Sequence, residues 1–366
     1  PGIAPPTPSA WVGEAEWRHT AHAKLGGQTW TLGTDALAWQ QRHDSHGRFN
    51  ELHLGTELGA WSLTAGKKVL GWDVGYGFRP NDMVQQELRR TLLGNTPEGR
   101  PLLQAEHFGS NSAATLVWVN PQHLNAPLAR TAGAQESALA GRWYQRDGAT
   151  DWYAFARVGE HTRASLGAAA AWVAGDELEL HASWRLQQRH DGWQQRAPGS
   201  PTLASTNPWA ITTQGGAPQW LLGLNWTGAQ QQGLLIEWWH DGAAPDNATW
   251  DAWTTRNGAL RSAPAAWPAM AVAGNLAWQA TPLNGANLRQ DNLFVRATWQ
   301  PGAWLWSLDA LVHPADRGRV VTAGLQWQGD RVRLNASWRV QGGPATSVLG
   351  QLPTRRSGLL AATWAF

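Results

Sequence analysis

Residues 331–340, Arg-Val-Arg-Leu-Asn-Ala-Ser-Trp-Arg-Val, alternate polar and apolar side chains without a break. Successive side chains of an extended chain point to opposite faces. Val332, Leu334, Ala336, Trp338 and Val340 therefore share one face, and Arg331, Arg333, Asn335, Ser337 and Arg339 the other. Residues 177–186 repeat the pattern, with Leu178, Leu180, Ala182, Trp184 and Leu186 set against Glu177, Glu179, His181, Ser183 and Arg185. Further copies run from Leu293 to Trp299, Trp304 to Val312, Val321 to Trp327, Trp220 to Trp226 and Leu234 to Trp238. A period of two, held over about ten residues and recurring along the chain, specifies a sheet. No helical periodicity of useful length accompanies it. The expected fold class is all-β.

Composition then separates kinds of sheet. No apolar run is long enough for a transmembrane helix. The mean hydropathy of −0.41 fits a soluble protein. It fits equally a barrel whose apolar outer face and polar lumen average out. The formal charge of +2 is too balanced for a nucleic-acid surface. The absence of cysteine is compatible with export through an oxidising compartment. Residues 1–10, opening Pro1-Gly-Ile-Ala-Pro-Pro-Thr-Pro, read as a Pro-rich N-terminal segment left after removal of a leader, ahead of a barrel over 11–366.

The 27 tryptophans matter for their positions. Trp172, Trp226, Trp299 and Trp327 lie on the apolar face just before the short turns Val173-Ala-Gly-Asp, Thr227-Gly-Ala-Gln, Gln300-Pro-Gly-Ala and Gln328-Gly-Asp. Trp184 and Trp338 fall about seven or eight residues into the strands that follow, which at ~3.3 Å per residue and a ~40° tilt is roughly 18–20 Å along a membrane normal. Two rings at that separation are expected of interfacial aromatic girdles. The alternative, a Trp-rich soluble sandwich or carbohydrate-binding propeller, gives no reason for Trp to be confined to one end of alternate strands.

The chain ends Ser357-Gly-Leu-Leu-Ala-Ala-Thr-Trp-Ala-Phe366, with Phe366, Trp364, Ala362, Leu360 and Gly358 on one side. This ending resembles the terminal strand of bacterial outer-membrane β-barrels of the porin-like type. The resemblance implies an outer-membrane location, contact with outer-membrane lipid, and Phe366 and Trp364 as the signal read by the barrel-assembly machinery. The stretch Gly66-Lys-Lys-Val-Leu-Gly-Trp, Arg79-Pro-Asn-Asp and Glu98-Gly-Arg-Pro-Leu-Leu is similar to a strand–loop–strand of alginate-export-type barrels, and implies no particular substrate.

Counted back from the C-terminus, the strand candidates are 356–366, 330–341, 318–328, 303–312, 291–300, 231–240, 217–227, 176–190, 163–173, 150–159 and 136–146. The first third adds 112–120, 101–109, 60–71, 48–59, 29–43 and 11–22. A bacterial barrel with both termini in the periplasm needs an even number. An antiparallel up-and-down barrel of about sixteen strands is therefore expected, within a range of roughly fourteen to eighteen. Asn275-Leu-Ala-Trp-Gln offers one further strand. Long connections at 72–100, 121–135, 191–216, 241–290 and 342–355 fall opposite the short turns, as extracellular loops would.

Residues 72–100 form the most charged and least strand-like connection. Two readings are open, a solvated surface loop and a loop folded into the pore, where Arg79, Asp82, Glu87, Arg89, Arg90 and Arg100 would form a constriction. Arg296, Arg331, Arg333, Glu177 and Glu179 are expected on the lumen wall. His43-Asp44, His190-Asp191 and His240-Asp241 end three outward-running strands. Converging at one rim, they would suit an outer-membrane protease or lipid hydrolase; taken singly, they are turn residues. The pattern favours a channel for small solutes, or the barrel of an export or uptake system, over that enzyme. No catalytic residue, cofactor or metal is assigned. A periplasmic or homo-oligomeric partner is compatible with the sequence.

Overall fold

The computed structural model describes residues 3, 11–41, 44–85, 97–120, 136–196 and 203–365. The first strands are β1 (Val12–Leu25), β2 (Gln28–Gln41), β3 (Asp44–Leu58), β4 (Trp61–Lys68), β5 (Arg100–Phe108) and β6 (Ser112–Val119). They are followed by β7 (Ala138–Asp147), β8 (Thr150–Gly159), β9 (Arg163–Ala174), β10 (Leu178–Gln187), β11 (His190–Gln195), β12 (Trp209–Gln214), β13 (Ala217–Thr227) and β14 (Gln232–Asp241). The series closes with β15 (Asp291–Trp299), β16 (Trp304–His313), β17 (Gly318–Gln328), β18 (Val332–Gly342) and β19 (Arg356–Trp364). Seventeen of these form one antiparallel sheet in chain order, while β11 and β12 pair with each other as a separate ribbon. Each of the seventeen alternating segments of the sequence is a strand of that sheet. The described residues thus hold seventeen strands of the main sheet where an even number near sixteen is expected, and none of the seventeen candidates drops out.

Short turns join β1–β2, β3–β4, β5–β6, β7–β8, β9–β10, β13–β14, β15–β16 and β17–β18, all at one end of the sheet. Between Asp147 and Thr150 only two residues turn the chain, and Gly148 takes the left-handed φ of 58° that primed hairpin turns require. β1 starts at the end carrying the long connections and β19 finishes at the short-turn end, so the two strands run in the same direction. Among the described residues each is hydrogen-bonded on one side only.

The sheet cannot be flat. Tyr76 lies eight residues beyond the end of β4, a reach of at most ~28 Å, yet its backbone N–H meets Glu237 on β14 at 2.6 Å. Eight places along a flat sheet would separate β4 from β14 by ~38 Å. Curling brings them face to face.

Side chains are distributed inside-out. On β6 to β10 the apolar residues Leu116, Leu139, Val158, Leu166 and Leu186 stand exposed on the outer face. Thr115, Arg157, Ser165, His181, Ser183 and Arg185 are buried on the inner one. Trp172, Trp184, Trp226, Trp299, Trp338 and Trp364 are all exposed on the outer face, and Trp327 is half-buried. Phe366 lies outside the described residues.

The long connection after β14 holds α1 (Asn247–Arg261), capped by Asp246 accepting from the Thr249 N–H at 2.8 Å, and α2 (Ala269–Trp278). A short helix, α3 (Val348–Gln351), precedes β19. Trp250 and Trp253 of α1 pack with Trp209, Leu288, Val348, Leu349 and Ile3. These helices correct the expectation of a chain without useful helical periodicity, and the extra strand at 275–279 falls on α2. The reason is chemical. The buried face of α1 is Trp250, Trp253, Arg256, Asn257 and Leu260, helical in spacing but polar at its centre. Arg256 bonds Asn275 at 2.8 Å, and Asn257 bonds Gln351 at 3.0 Å and Gln279 at 2.9 Å.

The face assignment is testable by paired substitutions. Ala336 is paired with Leu325 and Leu360 on the outer face, whereas Asn335 faces inward between Gln326 and Ala361. Ala336→Arg should cost roughly 2–4 kcal/mol in urea unfolding from lipid vesicles, and Asn335→Arg should be mild. Equal losses would reverse or abolish the register.

Candidate functional site

Segment 69–85 leaves β4, crosses the interior and docks on the inner face of β9, β10, β13, β14 and β15. The Val69 N–H anchors its near end on Glu51 at 2.8 Å. At the far end the Glu237 carboxylate, fully buried, accepts the backbone N–H groups of Tyr76 and Gly77, each at 2.6 Å. His181 Nε2 lies 3.1 Å from the same carboxylate, and its Nδ1 is 3.3 Å from Glu179. Phe78 stacks on Trp239 and Tyr76 on Phe294. Arg296 covers the Tyr76 ring at 5.3 Å and bonds its hydroxyl.

Between these anchors the segment is folded on its own carboxylates. Asp82 accepts from the N–H groups of Trp72 (2.7 Å) and Asp73 (3.1 Å). Asp73 accepts from the Asn81 N–H (2.6 Å) and the Ser183 hydroxyl (2.8 Å). Asn81 donates to Ser183 and the Trp184 carbonyl, and Arg185 donates to the Pro80 carbonyl at 3.1 Å. Docking this close needs gaps in the wall. A Cβ at Gly167 would sit 1.8 Å from Asn81 Oδ1, and one at Gly223 would sit 2.1 Å from His181 Nε2. On its other flank Trp72, Met83 and Val84 pack on Val117, Ala138, Ala140, Phe155 and Ala169.

Burial pushes Asp82 up to about 6, opposed by the Trp72 N–H and the Arg79 charge. Burial raises Asp73 too, against the Asn81 N–H and the Ser183 hydroxyl. Arg79 lies 3.6 Å from Asp82 and donates to the Gly75 carbonyl at 2.7 Å.

The residues singled out from sequence divide among different places. Arg79 and Asp82 sit together in the docked segment, and Arg100 opens β5 opposite Lys68, half-buried. Glu87, Arg89, Arg90 and His43 lie outside the described residues. Arg296 is on the inner wall against the segment, 3.6 Å from Asp309, and Glu179 is on that wall beside His181. Arg331 and Arg333 are exposed at the short-turn end of β18, away from the docked segment. Glu177 is placed differently from expectation. It lies in the turn before β10 and accepts from the indole of Trp226 at 3.2 Å, so it joins the outer belt of Trp.

The two fully described His–Asp pairs, His190-Asp191 and His240-Asp241, do not converge. His190 bonds the Gly215 carbonyl, His240 bonds Asp291 at 2.8 Å, and Asp241 serves Gln219 and Asn287. Asp191 bonds His161 at 2.7 Å with Thr213 beside both. That trio uses one ring nitrogen, Nε2, for the carboxylate and the hydroxyl alike, which is not the relay of a nucleophile and an orienting acid on opposite ring nitrogens. Among the described residues no group of three or more His, Cys, Asp or Glu is placed to hold a metal ion.

No protein-family model and no curated protein matches the sequence. Solved structures do match its fold. OccAB2 of Acinetobacter baumannii is similar over 97% of this chain and 91% of that one, at 8% identity and a TM-score of 0.57. OccAB1 of the same organism covers 97% and 94% at 8% identity, with a TM-score of 0.56. OccK5 (OpdH) of Pseudomonas aeruginosa covers 98% and 96% at 8% identity, with a TM-score of 0.55. At that identity the likeness is one of architecture: the chain has the fold of the porin-like β-barrels of the bacterial outer membrane.

Glu237→Gln leaves the side chain one carbonyl acceptor and no charge. Protection of the Tyr76 and Gly77 amides against hydrogen exchange should fall about ten-fold. Unchanged protection would mean the carboxylate does not hold the segment. A second expectation concerns pH. A carboxyl with its folded pKa above the free value stabilises the docked segment most when protonated, and the benefit disappears as pH rises through about 6. Protection of 69–85, corrected for intrinsic exchange, should be greater near pH ~5 than near ~7, and Asp82→Asn should flatten the profile. A profile identical in Asp82→Asn would assign the titration to another group.

Proposed function

We propose that this chain is a channel for small solutes across the outer membrane, narrowed by segment 69–85. Arg79, Asp82, Arg100 and Arg296 border the constriction, and Glu87, Arg89 and Arg90 complete the same loop. The observation that carries the reading is a charged segment held on the far wall of a sheet whose outer face is apolar. An irregular backbone at membrane depth is tolerated where protein or lumen water satisfies it, and ~17 strands leave room for water where ~8 would be filled by side chains. The fold shared with the Occ proteins supports the same conclusion. The barrel of an export or uptake system is the narrower version of this reading.

Several charges at and beside the constriction are paired: Arg79 with Asp82, Arg296 with Asp309, and Arg48 and Lys67 with Glu98. Ion selectivity is therefore weak and set by local placement and size. The exposed Trp belts contact outer-membrane lipid, and Phe366 with Trp364 addresses the assembly machinery. No catalytic role is assigned, and the rim residues act as turn and loop contacts.

Planar-bilayer recordings test the proposal. Deleting residues 76–97 should raise single-channel conductance, because a constriction contributes most of a pore's resistance. A folded deletion variant of unaltered conductance would place the loop outside the permeation path. For assembly, Phe366→Ser should lower the amount inserted into outer membranes while removing only ~1.5–3 kcal/mol of burial. Normal membrane levels would remove Phe366 from the signal.

A further inference from the structure

Four aromatic rings run along the inner wall from segment 69–85 toward the short-turn mouth. Trp72 faces Phe155 at 6.4 Å, Phe155 stacks on Tyr153 at 6.1 Å with the planes 5° apart, and Tyr153 meets Tyr144 at 5.2 Å. The first two are buried and fix the ladder to the docked segment. Tyr144 and Tyr153 are half-buried on the inner face of β7 and β8. They are cross-strand partners, and their neighbours in the same row are the small Ala113 and Ala169.

Charges of both signs flank this shelf. Asp151 accepts from the Tyr144 hydroxyl at 2.8 Å. Arg142, Asp151 and Glu179 all lie within electrostatic reach of Tyr153. Arg146 pairs across from Asp151 on the same inner face. Tryptophan, by contrast, dominates the outer face, and the chain's three tyrosines (Tyr76, Tyr144 and Tyr153) all belong to the interior.

We propose that Tyr144 and Tyr153 form a binding shelf for a neutral saccharide on the short-turn side of the constriction. The inference rests on the channel reading above and names a class of solute for it. A sugar ring offers an apolar C–H face to an aromatic plane and hydroxyls at its rim that both donate and accept. Arg142 and Arg146 supply donors, and Asp151 and Glu179 supply acceptors, at the edge of the rings. An apolar aromatic solute would strip water from those four charges without replacing it. A small anion would meet Asp151 and Glu179 at close range.

The test is calorimetric titration of maltotriose into the purified protein, held in an oligo-oxyethylene detergent because a sugar headgroup would compete. Wild type should bind saturably. Tyr153→Ala and Tyr144→Ala should each weaken binding by about ten-fold, whereas Tyr153→Phe, which keeps the ring, should stay within about two-fold of wild type. Absence of maltotriose binding to wild type overturns the proposal, as does equal affinity in the alanine variants. Binding of benzoate in place of maltotriose, lost in the same variants, overturns it in favour of an aromatic acid. Conductance in potassium chloride is read on the same preparation. Conduction without sugar binding sinks the shelf alone, and sugar binding without conduction sinks the channel while the shelf stands.

Discussion

Backbone hydrogen bonding is the constraint from which the rest of this structure follows. In hydrocarbon an unpaired N–H or C=O costs several kcal/mol, so a chain without an apolar helix can cross only as strands paired edge to edge. Among the described residues every strand of the main sheet but β1 and β19 is bonded on both sides. Pairing fixes the pleat, and the pleat assigns each side chain to lipid or lumen. The apolar set then has one place to go, outward, which leaves Arg157, His181, Arg185 and Glu237 buried within.

That buried polar interior makes the docked segment affordable in energetic terms. Segment 69–85 has no sheet partner, and its N–H groups would be orphaned if it lay against an apolar wall. Carboxylates take that role: Glu237 for Tyr76 and Gly77, Asp82 for Trp72 and Asp73, and Asp73 for Asn81. Hydrogen bonds to a charged acceptor contribute about 1.5–3 kcal/mol each, which offsets part of the cost of burying the carboxyls. The same burial raises Asp73 and Asp82 and makes the docking respond to pH.

The strands were legible because lipid and lumen impose a period of two on every one of them, and each alternating segment became a strand. Parity alone suggested dropping one. The helices were not legible, because the inward face of α1 mixes Trp250 and Trp253 with Arg256 and Asn257, whose partners come from distant loops. The ribbon β11–β12 was hidden because His190-Asp-Gly reads as a turn. Within the site, the charge of 72–100 marked the loop, and either a surface or a pore position fitted it. Segment 69–85 is held by Glu237, one of many alternating polar residues, which nothing local distinguishes from its neighbours. Gly167 and Gly223 were equally silent, since the clearance they provide is against Asn81 and His181, remote in sequence. Glu177 kept the strand period one residue too far and belongs to a turn.

Segment 69–85 spans the interior to the wall formed by β14 and β15. Cross-linking of Tyr76→Cys with Arg296→Cys by a short bis-maleimide in intact outer membranes tests this, since the native side chains meet at their tips, a separation longer than a disulfide bridges. An intramolecular cross-link that shifts the protein's gel mobility is expected. A pair that is labelled at both cysteines yet never bridged, while Tyr76→Cys alone reacts rapidly with a membrane-impermeant maleimide at the cell surface, would place the segment outside the barrel and contradict it.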